Sequence, residues 1–286
     1  MPSVSTHANV TILGCGYVGT ALAEFWSNKG IHVMGTTTHA EKIVALEPTV
    51  AKAMVAKGND LEAIRAVFEG QDIVIVSVAP TNAYTVDAAI YAATYLPLAE
   101  NLVKAMGQYP EVKQIIYLSS CSVYGDRQGA WVDETTPIVA SDTHIQVLHT
   151  VEQALLQAHE QPHPKVCILR LGGIYGPGRG LRQRFEGIAG KTLPGKGDRI
   201  VNWVHLEDVV AAIDFARSNR LEGIYNLVDD SVMTIREQIT RVCQKYRLPL
   251  VRWDASQPSR ARKSLRVRNQ KLKTAGYVLL YPTLRI

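Results

Sequence analysis

Asn9-Val10-Thr11-Ile12-Leu13-Gly14-Cys15-Gly16-Tyr17-Val18-Gly19 decides how this chain folds. An apolar run ends in three glycines spaced G-x-G-x-x-G, and Thr20-Ala21-Leu22-Ala23-Glu24-Phe25-Trp26 continues as an amphipathic segment. The order reads as a buried strand, a tight turn and a helix. Gly14 allows the turn, Gly16 lets backbone approach a pyrophosphate, and Gly19 lets the helix pack close to the strand. Cys15, Tyr17 and Val18 complete the loop and are expected beside the same ligand. Phosphates would rest on the N–H groups and positive dipole end of the helix. The stretch therefore points to dinucleotide binding.

Working outward, Ile31 to Thr36 reads as a second strand, Ala51 to Ala56 as a third and Leu61 to Phe68 as a helix. Ile73-Val74-Ile75-Val76-Ser77-Val78-Ala79 is apolar and β-branched, as a strand covered on both faces requires. A helix over Val86 to Met106 leads to a strand at Gln114 to Ser119, and Val166 to Leu171 forms another. Strands alternating with helices predict an α/β fold, a Rossmann-type doubly wound parallel sheet. Regularity weakens past a glycine- and proline-rich loop at Gly172 to Gly180. Helices are expected at Leu206 to Ser218, Thr234 to Tyr246 and Asn269 to Ala275, with a strand at Ile224 to Val228. We divide the chain into a dinucleotide-binding domain over 1–171 and a small C-terminal substrate lobe mainly over 172–286, with segments returning to the sheet.

The end of the second strand bears on cofactor choice. An acidic side chain there holds the ribose 2′-hydroxyl of NAD. Here stand Thr36, Thr37, Thr38 and His39, with Lys42 further on. No carboxylate opposes a 2′-phosphate, so NAD(P) is expected with NADP slightly favoured over NAD.

The 286 residues are 47% hydrophobic and 20% charged, which suits a water-soluble α/β protein. No apolar run reaches the roughly 20 residues a bilayer-spanning helix needs, and Met1 to Asn9 lacks the pattern of a secretory leader. A cytoplasmic location, with no membrane partner, is the expectation. Cys15, Cys121, Cys167 and Cys243 are scattered without C-x-x-C spacing, so reduced thiols and no metal site are expected. The net charge is +5, and eleven basic residues from Arg241 to Lys273 face Asp254 alone. No nucleic-acid motif accompanies them, so a solvated surface is expected in preference to a nucleic-acid partner.

Three further strings carry a family resemblance. Tyr117-Leu118-Ser119-Ser120-Cys121-Ser122-Val123-Tyr124-Gly125 resembles the strand end holding the catalytic serine or threonine of extended short-chain dehydrogenase/reductases. Leu169-Arg170-Leu171-Gly172-Gly173-Ile174-Tyr175-Gly176-Pro177-Gly178 resembles their R-x-x-x-[VI]-Y-G-P-G loop, and Asn202 to Val209 resembles their W-x-x-V-x-D-V segment. With the glycine loop, these landmarks identify the chain as a member of the NAD-dependent epimerase/dehydratase group. The resemblance implies cofactor contacts at Val78, Ala79, Pro80 and Leu118, with Ser122, Tyr175 and Arg179 near a small-molecule substrate. It also implies a homodimer through helices near residues 86–106 and 143–160.

The same resemblance implies a serine, a tyrosine and a lysine working together. The tyrosine moves the proton, and the lysine binds the nicotinamide ribose and lowers a tyrosine pKa ordinarily near 10. The serine position falls on Ser120. Anchored on Glu152-Gln153, the tyrosine position falls on His144 and the lysine position on Leu148. No tyrosine stands between Tyr124 and Tyr175 and no lysine between Lys113 and Lys165, so the Y-x-x-x-K pair is missing. An imidazole can act as a base near neutral pH, which makes His144 the candidate. The arginine that grips a nucleotide-sugar diphosphate falls on Val201, and the loop asparagine falls on Gly173. Arg179, Arg182, Arg184 and Arg199 lie close enough in sequence to substitute, but with both usual positions changed a nucleotide-diphosphate sugar is discounted. Two readings remain: an atypical oxidoreductase, epimerase or dehydratase acting on a sugar-like or small carbonyl substrate, or a catalytically impaired NAD(P)-binding regulatory or scaffold protein.

Overall fold

A computed structural model describes residues 8–80, 87–158, 164–259 and 263–286. Seven strands form one parallel sheet flanked by helices: β1 (Val10–Leu13), β2 (Val33–Thr37), β3 (Lys52–Val55), β4 (Ile73–Val76), β5 (Gln114–Ser120), β6 (Lys165–Leu171) and β7 (Gly223–Leu227). Their spatial order is β3-β2-β1-β4-β5-β6-β7. β1 pairs in parallel with β2 through Val10–Val33 and with β4 through Val10–Ile73. The chain thus runs outward from β1 in one direction and then returns past it to build the other half. Between β1 and β4 the order reverses, and ligands of open α/β sheets bind outside the strands' carboxyl ends at such a point.

Four helices complete the first half: α1 (Tyr17–Ser27), α2 (Leu61–Phe68), α3 (Ala88–Gln108) and α4 (Thr143–Gln157). The helix expected from Val86 begins at Ala88, and Val86 itself lies outside the described residues, as do residues 159 and 160 of the second expected dimer helix. β1 and β4 are buried at every residue, which explains their unbroken apolar sequence. α2, α3 and α4 cover one core, where Ile64, Phe68, Leu98, Leu102, Val151 and Leu155 pack with Val74, Ile115 and Ile168 of the sheet.

The described chain divides into two units. The first comprises 1–123, 140–170 and 210–224, and the second 124–139, 171–209 and 225–286. A cut at 171 is therefore interrupted twice, because 124–139 joins the later chain and 210–224 returns to the earlier part. In the first unit α1 is tied to residues 210–218 by Trp26, whose indole N–H donates to Asp214 at 2.9 Å. The second unit is built from short strand pairs, among them Trp203–His205 parallel to Gly173–Tyr175 and Arg252–Asp254 parallel to Thr192–Pro194. Its core joins Tyr175, Leu181, Phe185, Trp203, Ile239 and Val242. The helix Ile235–Lys245 starts with a capping box: the Glu237 N–H donates to Thr234 Oγ1, and the Thr234 N–H donates to the Glu237 carboxylate.

Candidate active site

The three glycines of the first loop have three different surroundings. Gly14 has φ +99°, and a Cβ there would stand 2.8 Å from the Ser77 carbonyl oxygen. A Cβ on Gly19 would stand 2.3 Å from the Gly14 carbonyl oxygen. Both glycines are required by packing. Around Gly16 no atom lies within 4 Å of the Cβ position, so a ligand can approach the backbone there. Gly16 is also the N-cap of α1, which has no side-chain cap and no acidic residue in its first turn. Open backbone at an uncapped eleven-residue helix start is the cradle a dinucleotide pyrophosphate needs. The residues present fit that group.

Neighbouring residues divide between cradle and brace. Thr36 is wholly buried, accepting the Gly14 N–H on Oγ1 at 2.9 Å and the Cys15 N–H on its carbonyl at 2.7 Å. It holds the glycine turn from behind. Thr37 is buried too, and its Oγ1 accepts the His39 N–H at 3.3 Å. Of the three threonines, Thr38 is the exposed one. Burial pushes the Cys15 thiol up to about 12, against a smaller opposing effect of its bond with Thr36, so it stays protonated. The nearest acid after β2 is Glu41, paired with His39 at 3.3 Å.

Val78, Ala79 and Pro80 leave the carboxyl end of β4, and Leu118 and Ser120 lie at the carboxyl end of β5. Ser120 Oγ accepts the Ser122 N–H at 3.1 Å, which uses an oxygen lone pair and not the hydroxyl proton. His144 stands in the first turn of α4, whose N-cap Asp142 accepts the Ile145 N–H at 3.0 Å. The imidazole lies 4.9 Å from the Tyr91 ring, and Tyr91 lies 4.7 Å from Tyr95. Tyr95 in turn donates to the Val78 carbonyl at 3.2 Å. This run of contacts brings His144 to the same carboxyl edge of the sheet as the glycine loop. Leu148 is buried on the inner face of α4 with Ile145 and Val151 and offers no hydrogen-bonding group.

One feature of this edge is invisible in the motif strings. Ser119, next to Ser120, donates to Glu152 Oε1 at 2.6 Å, and Glu152 also receives Arg170 of β6 at 2.6 Å. Glu152 and Arg170 are 0% and 2% exposed. The cluster joins α4, β5 and β6 and so fixes where Ser120 stands relative to that helix. Its trace in the sequence is a glutamate on the apolar face of α4, three residues before the buried Leu155. The nearby Tyr117 hydroxyl is buried without a hydrogen-bond partner among the described residues, and burial first, with Tyr95 and Glu152 adding, holds it well above the usual phenol range.

In the second unit Tyr175 is buried, with its hydroxyl accepting the Arg285 N–H at 3.0 Å and its ring 5.0 Å from His205. Burial pushes this phenol up to about 12. Arg179 is exposed on the turn after Gly176. Parts of the basic run are engaged locally: Lys273 pairs with Asp230, Arg266 donates to the Gly129 carbonyl, and Lys271 lies over the Tyr225 ring. Among the described residues no group of three or more metal-ligating side chains occurs, and no helix is long and apolar enough to cross a membrane.

A parallel sheet with a dinucleotide cradle at its switch point defines an NAD-binding protein of Rossmann type, and comparison with known proteins places it further. The sequence of residues 10–227 matches the NAD dependent epimerase/dehydratase family. The chain belongs to that family. Protein YeeZ of Escherichia coli strain K12 is 34% identical over 227 residues, covering 76% of each chain. A decarboxylating sterol-4-alpha-carboxylate 3-dehydrogenase of Candida albicans is 25% identical over 229 residues, covering 73% of this chain and 64% of that one. The Thermus thermophilus UDP-glucose 4-epimerase, solved in complex with NAD, superposes with a TM-score of 0.76 at 21% identity over 95% of this chain and 94% of its own. That last likeness is one of fold.

Proposed function

We propose that this protein is an NAD(P)-dependent enzyme that oxidises or reduces a carbon bearing a hydroxyl or carbonyl group in a sugar-like or other small substrate. The observation that carries this reading is the shared edge: the open Gly16 backbone, Ser120 and His144 all stand at the carboxyl ends of the central strands. Family membership supports the general kind of reaction.

Gly14 to Gly19 would hold the pyrophosphate, with Val78 to Pro80 and Leu118 alongside the rest of the cofactor. Bound there, the nicotinamide supplies the site where a hydride is accepted or given. Ser120 would donate its hydroxyl proton in a hydrogen bond to the reacting oxygen and hold it in place. His144 would take the substrate hydroxyl proton as the carbonyl forms and return it in reverse. Leu148 cannot anchor a ribose hydroxyl, so the glycine cradle carries more of the binding. The absence of a carboxylate at Thr36 to Thr38 supports a preference for NADP.

Calorimetric titration with NAD(H) and NADP(H) tests this first, followed by a screen of alcohols and carbonyls read at the reduced-nicotinamide absorbance. We expect micromolar binding, tighter for NADP, and turnover of at least one compound. No binding of either cofactor by the folded protein would overturn the reading.

A further inference from the structure

The second unit contains a cavity of about 600 Å³, within the range of small-ligand sites. Its wall is mixed, with an apolar part to which Phe185, Ile188, Leu193, Ile235, Ile239 and Trp253 contribute and a polar part that includes Gln128 and Ser264. Trp253 is held in place by Gly197, where a Cβ would come within 2.8 Å of three indole carbons. The indole therefore packs directly against the backbone at Gly197, and both residues line the cavity.

Against this wall stands Arg199. It is half-buried, and among the described residues its guanidinium has no carboxylate or carbonyl partner, although its own backbone carbonyl accepts the Ile235 N–H at 2.9 Å. Burial first, and then the nearby Arg184, weakens its hold on its proton, so two guanidiniums lie close enough to repel. A half-buried cation in that position is stabilised by an anion arriving from outside.

The charge balance limits which anion. Asp126, Asp198 and Arg266 also line the cavity. Asp126 accepts the Gln128 and Ser264 N–H groups, and Arg266 donates to Gly129, so both are engaged. A diphosphate would bring at least two negative charges to a cavity with two carboxylates already in its wall. Val201, at the place of the diphosphate-gripping arginine, adds no compensation. Of the two charged lining residues that remain, Asp198 is exposed and Arg199 half-buried, so one negative charge on an apolar body matches the half-buried cation.

We infer that this cavity binds a monoanionic amphiphile, an apolar or aromatic body carrying one carboxylate or similar charge, with Arg199 receiving the anion and Trp253 and Ile239 the body. The assignment rests on reading the second unit as the substrate-binding part, and it replaces a nucleotide-sugar with a different class of ligand.

Calorimetry on the full chain tests it with 3-phenylpropanoate and octanoate, their uncharged amides, and UDP. The acids are expected to bind at least tenfold more tightly than the amides, and UDP no more tightly than inorganic phosphate. Arg199→Gln should remove the acid-over-amide difference, and Arg199→Lys should restore part of it. Ile239→Trp, which fills the cavity, should abolish binding of acid and amide alike. Equal binding of acid and amide, tighter binding of UDP, or an unchanged affinity in Arg199→Gln would overturn the assignment. NAD(H) titrated into the same samples separates the two readings. Cofactor binding without acid binding overturns this inference alone, and acid binding without cofactor binding overturns the proposed function alone.

Discussion

Glu152 and Arg170 form an ion pair closed to water, with Arg170 Nη2 2.6 Å from Glu152 Oε2 and side-chain exposures of 0% and 3%. The Arg170 Nε–H donates to both carboxylate oxygens at 3.0 and 3.2 Å, and Ser119 supplies a further donor. A carboxylate surrounded this way keeps its charge in the interior only while the guanidinium stays. Removing one partner strands the other.

Glu152→Ala should therefore destabilise the fold by about 3–5 kcal/mol, the usual consequence of leaving a buried charge unpaired. The double variant Glu152→Leu with Arg170→Met should recover much of that loss, because neither charge then has to be desolvated. Urea denaturation of both measures the difference. Equal destabilisation of single and double variants would show that packing, not charge, dominates here.

The glycine loop separates folding from binding. Gly16→Ala meets no atom within 4 Å and should change stability by under about 1 kcal/mol. Its methyl would occupy the pyrophosphate's approach and should weaken cofactor binding at least tenfold, or about 1.4 kcal/mol. Gly19→Ala, with its Cβ 2.3 Å from the Gly14 carbonyl, should lower stability by about 1–3 kcal/mol. Melting temperature and cofactor titration on the two variants together check the pattern.

Ser120→Ala and His144→Ala should each lower kcat by about 10²–10⁴ on whatever substrate the screen finds, while cofactor affinity stays near wild type. Tyr91→Phe keeps the ring against His144 and should cost no more than a few-fold. Unchanged kcat in His144→Ala would move the proton-transfer role to water or to another group.

Asp229 gives the fold a measurable pH dependence. Its carboxyl is pushed up to about 7, first by burial and then by Asp230 and Asp208. Asp230 is itself paired with Lys273, and Asp208 accepts the Tyr277 hydroxyl and the backbone N–H groups of Leu280 and Tyr281. An acid with a raised folded-state pKa binds its proton more tightly when native, so its contribution to stability falls as pH rises from about 4 to about 7. The shift from 3.8 to about 7 bounds the effect at roughly 4 kcal/mol. Denaturation midpoints across that range should fall in the wild type and flatten in Asp229→Asn.

The order of elements was legible because it rests on local patterns. The glycine spacing, the β-branched run Ile73–Val76 and the helical stretch Leu61–Phe68 each state their conformation within a few residues. Boundaries moved by one or two residues where caps decide them. Asp142, for example, ends the extended chain and lets α4 begin at Thr143.

The sequence by itself determined the α/β order, the dinucleotide cradle, the family, and the places of Ser120, His144 and Leu148. Tertiary structure decided what those places mean. Thr36, expected at the ribose, turned out to brace the loop, because its hydroxyl meets an amide twenty-two residues away in sequence. Glu152 became the partner of Arg170, eighteen residues on, and among the described residues Arg199 was left without an ion pair in the wall of a cavity. Local propensity is written residue by residue and survives in the string. Burial and charge pairing depend on which distant segments arrive together, and only the packed sheet fixes that.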